Sequence, residues 1–189
     1  WTAATTGGLT DPPVRLENPG AADYANMYVF GGRTGAGARL NDLWSFDGTT
    51  WTQKTADGAA GSPPGRDTAG VAWNFTRNRL TVFGGYDGSA RLNDTWEWSP
   101  GTNTWTNVTP AGSSPSPRRY GQLAYDPATG KMLLVGGQDS TGSLNDTWTF
   151  DGSTWTQLTP SGSLPGPRRL HHLVTRIDYG DVLAFGGFN

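Results

Sequence analysis

The sequence predicts an all-β chain folded as a β-propeller, from three observations. The first is repetition. KMLLVGGQDSTGSLNDTWTFDGSTWTQLTP at 131–160 reappears as LTVFGGYDGSARLNDTWEWSPGTNTWTNVTP at 80–110 and as MYVFGGRTGAGARLNDLWSFDGTTWTQKT at 27–55. A shorter copy, VLAFGGFN, occupies 182–189, so the double glycines start at 31, 84, 136 and 186. A fixed period near 50 residues marks a repeat architecture. The second is that each unit divides into four short strand candidates. The third is composition: 28 Gly, 13 Pro and nine Trp in 189 residues suit many turns and large packed rings, and two Glu and two Lys leave few strong helix formers.

The third unit shows the elements in order. RRYGQLAYD (118–126) alternates apolar or small residues with polar ones, the pattern of a half-buried strand. Pro127-Ala128-Thr129-Gly130 is a turn by composition. KMLLVGG (131–137) is a continuous apolar run, expected to be buried on both faces. After a polar loop comes DTWTF (146–150), then the Asp151-Gly152 turn, then TWTQL (154–158) as the outer strand. A Pro-, Ser- and Gly-rich segment leads onward. The arginine opening the first strand precedes the double glycine by 18 residues in three units (Arg66, Arg118, Arg168) and by 16 in the first (Arg15).

Four antiparallel strands per 50 residues make a propeller blade; stacked solenoid repeats are usually shorter. One region, 1–189, is expected, with units at about 12–55, 63–110, 115–160 and 165–189. Trp1-Thr2 aligns with Trp51-Thr52, Trp105-Thr106 and Trp155-Thr156, so residues 1–6 are expected to be an outer strand of a preceding or closing blade. That counts 15 strands, between three and four blades. The ring is expected to be incomplete, or closed by another copy through open sheet edges.

A net charge of −2 and a pI near 5.6, with no basic run beyond two Arg pairs, point away from nucleic acid. No 18-residue apolar run suggests a membrane span, and no leader is evident. Without Cys there is no disulfide, thiolate metal site or thiol chemistry. His171 and His172 are adjacent and would point to opposite faces of a strand, so no metal is expected. No cofactor is expected either.

The apolar run into Gly-Gly, LNDTWxF at 144–150, WTQLTP at 155–160 and PxPRR at 165–169 resemble kelch repeats, in a bacterial style, over nearly the whole chain. The resemblance implies that the first strand of each unit is innermost and that ligands meet the loop-bearing face. That face would hold Arg33, Arg39, Arg66, Tyr86, Asp87, Arg91, Arg119, Gln138, Asp139, Arg169 and His171, the candidate ligand-binding residues. One arginine of each set is expected to pair structurally with the recurring Asp42, Asp94 or Asp146. The recurring Trp are expected to pack between blades. The others offer planar, multidentate hydrogen bonds to an acidic or sugar-like ligand.

The expectation is therefore a non-catalytic binding or assembly module for a protein or glycan ligand, extracellular or at a cell surface. A sugar isomerase resembling a mutarotase or epimerase is the enzymatic alternative, with Asp67, Asp87, Asp139 and His171 as its possible acids and bases. The copper-radical sugar oxidases sharing kelch-like propellers need a Cys, which this chain lacks. A component of a larger extracellular assembly is the third reading.

Overall fold

A computed structural model of the protein describes residues 11–162 and 165–189. It contains three four-stranded antiparallel sheets and one two-stranded sheet, each following the chain. The first blade is β1 (Gly20–Ala22), β2 (Met27–Phe30), β3 (Leu43–Phe46) and β4 (Trp51–Thr55). The second is β5 (Gly70–Asn74), β6 (Arg79–Tyr86), β7 (Arg91–Ser99) and β8 (Thr104–Asn107). The third is β9 (Gln122–Asp126), β10 (Lys131–Gln138), β11 (Ser143–Phe150) and β12 (Trp155–Leu158). The last unit has β13 (Arg169–Arg176) and β14 (Asp181–Phe188), joined by a 3-10 turn, Ile177–Tyr179, that ends on Gly180 at φ 70°. The outer strand expected at residues 1–6 lies outside the described residues. This is the partial kelch-type propeller that the repeats predict. No helix among the described residues is long and apolar enough to cross a membrane.

The core lies between blades. One cluster joins Tyr28, Phe30 and Leu43 of the first blade to Val71, Trp73, Leu80, Val82 and Trp98 of the second. Another joins Ala72 and Phe83 of the second to Leu123, Met132, Leu134, Trp148, Phe150 and Trp155 of the third. The outer-strand tryptophan of one blade seats on the phenylalanine before the double glycine of the preceding blade. Trp105 lies 5.1 Å from Phe30, and Trp155 lies 4.9 Å from Phe83 at 63°. Each ring buries large apolar area in a tilted geometry that aromatic quadrupoles favour.

That arrangement corrects one expectation. The run KMLLVGG is fully buried only on the face carrying Met132 and Leu134; Leu133 and Val135 are half-exposed. Their face looks towards the last unit, which brings no outer-strand tryptophan among the described residues. On β6 the matching positions, Thr81 and Phe83, are covered.

At the double glycines consecutive blades approach closely. Gly84 sits at φ 62°, and a Cβ there would lie 2.8 Å from the Arg118 carbonyl oxygen and 2.9 Å from that of Leu92. Gly136 is in the same position against Arg168 and Leu144. Only glycine meets both demands.

Candidate functional site

The arginine that opens each blade is a structural clamp. Arg66 donates Nε–H to the Pro64 carbonyl at 3.0 Å and Nη1–H to the Gly84 carbonyl at 2.9 Å, and grips Asp94 with two bonds of 2.6 and 2.8 Å. Arg118 treats Ser116, Gly136 and Asp146 alike, and Arg15 treats Pro13, Gly31 and Asp42 alike. The first tryptophan of each unit donates its indole N–H to the same carboxylate, at 2.7 Å in Trp44, Trp96 and Trp148. Burial works to raise the Asp94 pKa, but the hydrogen bonds and charge of Arg66 outweigh it and leave it below the ordinary range. The recurring Arg, Asp and Trp thus hold each blade together.

Two candidates drop out on these grounds. Arg66 is fully buried and spent on Asp94, so it presents nothing to a ligand. His171 is also fully buried, facing Gly136, and neither ring nitrogen makes a hydrogen bond. Its burial follows from its place in β13, which packs against the third blade.

Two residues beyond each clamp the backbone turns left-handed: Glu17, Thr68, Tyr120 and Leu170 have φ of 55°, 56°, 59° and 56°. The turns are linked across blades, Thr68 N–H to the Glu17 carbonyl at 3.1 Å and Tyr120 N–H to the Thr68 carbonyl at 2.8 Å. They bring one residue from every unit together. Together with Gln122 and His172 these side chains line a cavity of about 290 Å³ at one mouth of the channel. The sequence reading missed them, although their constant offset from the arginine, combined with four different residue types, was a usable signal.

Around that mouth lie bridged pairs, one per unit: Leu16 with Arg33, Asp67 with Tyr86, Arg119 with Gln138, and Arg169 with Phe188. They follow the double glycines at equivalent positions yet differ in chemistry from unit to unit. Arg39 pairs with Asp67 at 2.9 Å and lies over the Tyr86 ring, 5.2 Å from its centroid. Arg119 approaches the same ring at 6.0 Å and the Tyr120 ring at 5.1 Å, while its Nε–H is held by the Gln138 amide oxygen at 2.9 Å. Arg33 is matched by Glu17 at 2.9 Å. No carboxylate pairs with Arg119 among the described residues. Cations stacked on ring faces in this way are held firmly while their remaining N–H groups stay available.

The other candidates have different fates. The Asp87 carboxylate accepts from Ser89 and Ala90 within its own loop, and the Ala90 backbone bond leads the effects that hold it below the ordinary range. Burial raises Asp139, but bonds from Thr141, Ser116 and Gly142 outweigh it, so its pKa too is lowered. Both shape loops and neither is poised to carry a proton at neutral pH. Arg91 lies apart, lining a separate hollow of about 250 Å³ with Ser116 and Asp139, its Nε buried without a partner among the described residues. Among the described residues no three His, Asp or Glu side chains gather as a metal site would need.

The family description "KLHDC2/KLHL20/DRC7 Kelch-repeats domain" matches residues 1–187. The dynein alpha chain of the flagellar outer arm of Chlamydomonas reinhardtii is 33% identical over 156 residues, covering 74% of this chain and 3% of that protein. Kelch domain-containing protein 3 of Rattus norvegicus is 33% identical over 133 residues, covering 63% of this chain and 33% of that protein. Dynein regulatory complex subunit 7 of Chlamydomonas reinhardtii is 30% identical over 115 residues, covering 59% and 10%. The chain thus spans a third or less of the length of these relatives. All three are eukaryotic proteins, so the bacterial style expected from the motifs gains no support from them. With the double glycine recurring in every unit, the arginine clamp in the first three and the family description matching residues 1–187, the chain belongs to the kelch-repeat family.

Proposed function

We propose that this chain is a non-catalytic protein-binding module whose docking surface is the channel mouth built from Arg39, Tyr86, Arg119 and Gln138. The observation that carries the proposal is Arg119: a half-buried cation fixed by Gln138 and two tyrosine rings, with no carboxylate to neutralise it among the described residues. A site of this kind suits an acidic segment of a partner, whose carboxylates would meet the guanidinium in a bidentate contact while its backbone lies across the tyrosines. Kinship with kelch domains supports a binding role, and Asp87 and Asp139, two of the possible acids of an isomerase, are instead engaged in loop turns.

The test is crosslinking capture of partners by the wild-type chain and by Arg119→Ala, with the unfolding midpoint of both recorded. Partners captured by the wild type should weaken by about tenfold or more, as when one member of a desolvated charge pair is removed. Undiminished capture by a folded Arg119→Ala would place the docking surface elsewhere. A parallel glycan array separates the two ligand classes: Arg119-dependent binding there, with none to proteins, would replace the protein by a sugar.

A further inference from the structure

The two joints between complete blades differ at one telling place. Where the first blade meets the second, Arg39 donates its Nε–H to the Asp67 carboxylate at 2.9 Å and lies over the Tyr86 ring. Where the second meets the third, the same places in the repeat hold Arg91, Arg119 and Gln138. Arg91 precedes Leu-Asn-Asp as Arg39 does, and Arg119 follows the clamp Arg118 as Asp67 follows Arg66. Gln138 stands two residues after the first glycine, as Tyr86 does. The second joint thus has a cation where the first has its carboxylate.

The side chains carry the consequence. The Arg91 Nε–H is buried and finds no acceptor, and no carboxylate pairs with Arg91 or Arg119 among the described residues. Arg91 stands directly opposite Tyr86 in the β6–β7 ladder, and Arg119 lies 6.0 Å from the centroid of that ring. Directly opposed side chains of a ladder are neighbours, so the two cations belong to one locality. Asp139 borders the hollow beside Arg91, but its oxygens accept from Thr141, Gly142 and Ser116. The joint lacks no strand: both of its blades are four-stranded sheets, and they share one core.

We propose that Arg91 and Arg119 bind a phosphate monoester, carried by a phosphoserine or phosphothreonine of the partner. The inference rests on the channel mouth being the docking surface, and it adds what that surface reads. Exchanging a carboxylate for a guanidinium turns one negative charge into one positive. A phosphate monoester brings about −1.5 to −2 at neutral pH, enough to restore the balance of the first joint, whereas a carboxylate restores half of it. Its oxygens would accept from the Arg91 Nε–H and from the Arg119 N–H groups that Gln138 leaves over.

The experiment follows the arginine Nε–H signals of the 189-residue chain by NMR, assigned through Arg91→Lys and Arg119→Lys. Three blocked pentapeptides are titrated: Gly-Gly-phosphoserine-Gly-Gly and its counterparts with Glu and with Ser at the centre. The phosphopeptide should shift the Arg91 and Arg119 signals saturably, about tenfold or more tighter than the Glu peptide, and the Ser peptide should leave them in place. Arg91→Ala and Arg119→Ala should each weaken the phosphopeptide about tenfold, and inorganic phosphate should compete with it. No saturable shift, equal affinity for the Glu peptide, or binding indifferent to Arg91→Ala overturns the proposal. The comparison of peptides on the wild-type chain decides the matter even if Arg91→Ala disturbs the joint. Absent phosphopeptide binding alongside Arg119-dependent capture of partners would sink this inference and leave the docking surface standing.

Discussion

Arg118 and Arg168 open equivalent strands with the same two carbonyl contacts, yet one is 1% exposed inside a closed clamp and the other is half-exposed, with no carboxylate on its fork among the described residues. The same contrast holds between Phe83, buried under Trp155, and Phe185, which nothing covers among the described residues. One repeat thus yields a core or a surface according to what the following strand and blade bring. A kelch unit does not own its core; it shares it with its neighbours, as quasi-one-dimensional repeat proteins do.

The comparison would break first at the clamps. Arg118→Ala leaves Asp146 without its cation in a mostly buried place and should cost about 3–5 kcal/mol in urea unfolding, whereas Arg168→Ala should move the midpoint little. Equal losses would mean that the fork in the last unit is already filled. At the aromatic joint, Phe83→Ala should cost about 3–5 kcal/mol, and Phe185→Ala should fall within about 0.5 kcal/mol of wild type, as exposed sites do. A large effect of Phe185→Ala would show its face to be covered.

The glycines sharpen the contrast more gently. Gly136→Ala and Gly186→Ala both place a side chain at positive φ, 56° and 74°. At Gly136 the new Cβ also meets the Arg168 carbonyl at 2.8 Å, while at Gly186 it meets nothing within 4 Å. Gly136→Ala should therefore be worse by about 1–3 kcal/mol, the usual cost of overpacking.

The smallest effect is one of pH. Burial, and then the charge of Arg168, push His171 below its ordinary value. The folded chain keeps this imidazole neutral where the unfolded chain would protonate it, so below about pH 6.5 the unfolded state binds the extra proton. Stability should be whole above that pH and decline as it falls. His171→Leu should flatten the decline in denaturant midpoints measured from about pH 7.5 to 5.5. An unchanged slope would assign the effect to other groups.

Much of this fold was readable in the chain. The period, the four strands of a unit, the turns and the Arg–Asp clamp recur at fixed offsets, and recurrence reports what every blade needs. The site was harder to see. Arg39, Tyr86 and Arg119 come from three different units, and nothing local in any of them says that two guanidinium groups share one ring. Arg66 and Arg119 look equally available as text, although one is a clamp and the other lies against two tyrosine rings. Arg118 next to Arg119 shows the reason: successive residues at the start of the inner strand point to opposite destinations.

By itself, then, the sequence determined the blade, because strand periodicity, turn residues and a clamp repeated at constant spacing are local properties copied along the chain. Only the tertiary structure decided which residues look inward, which reach the mouth and which stay unpartnered. Those outcomes depend on the left-handed turns at Glu17, Thr68, Tyr120 and Leu170 and on the neighbour each blade meets, and both are relations between segments some 50 residues apart.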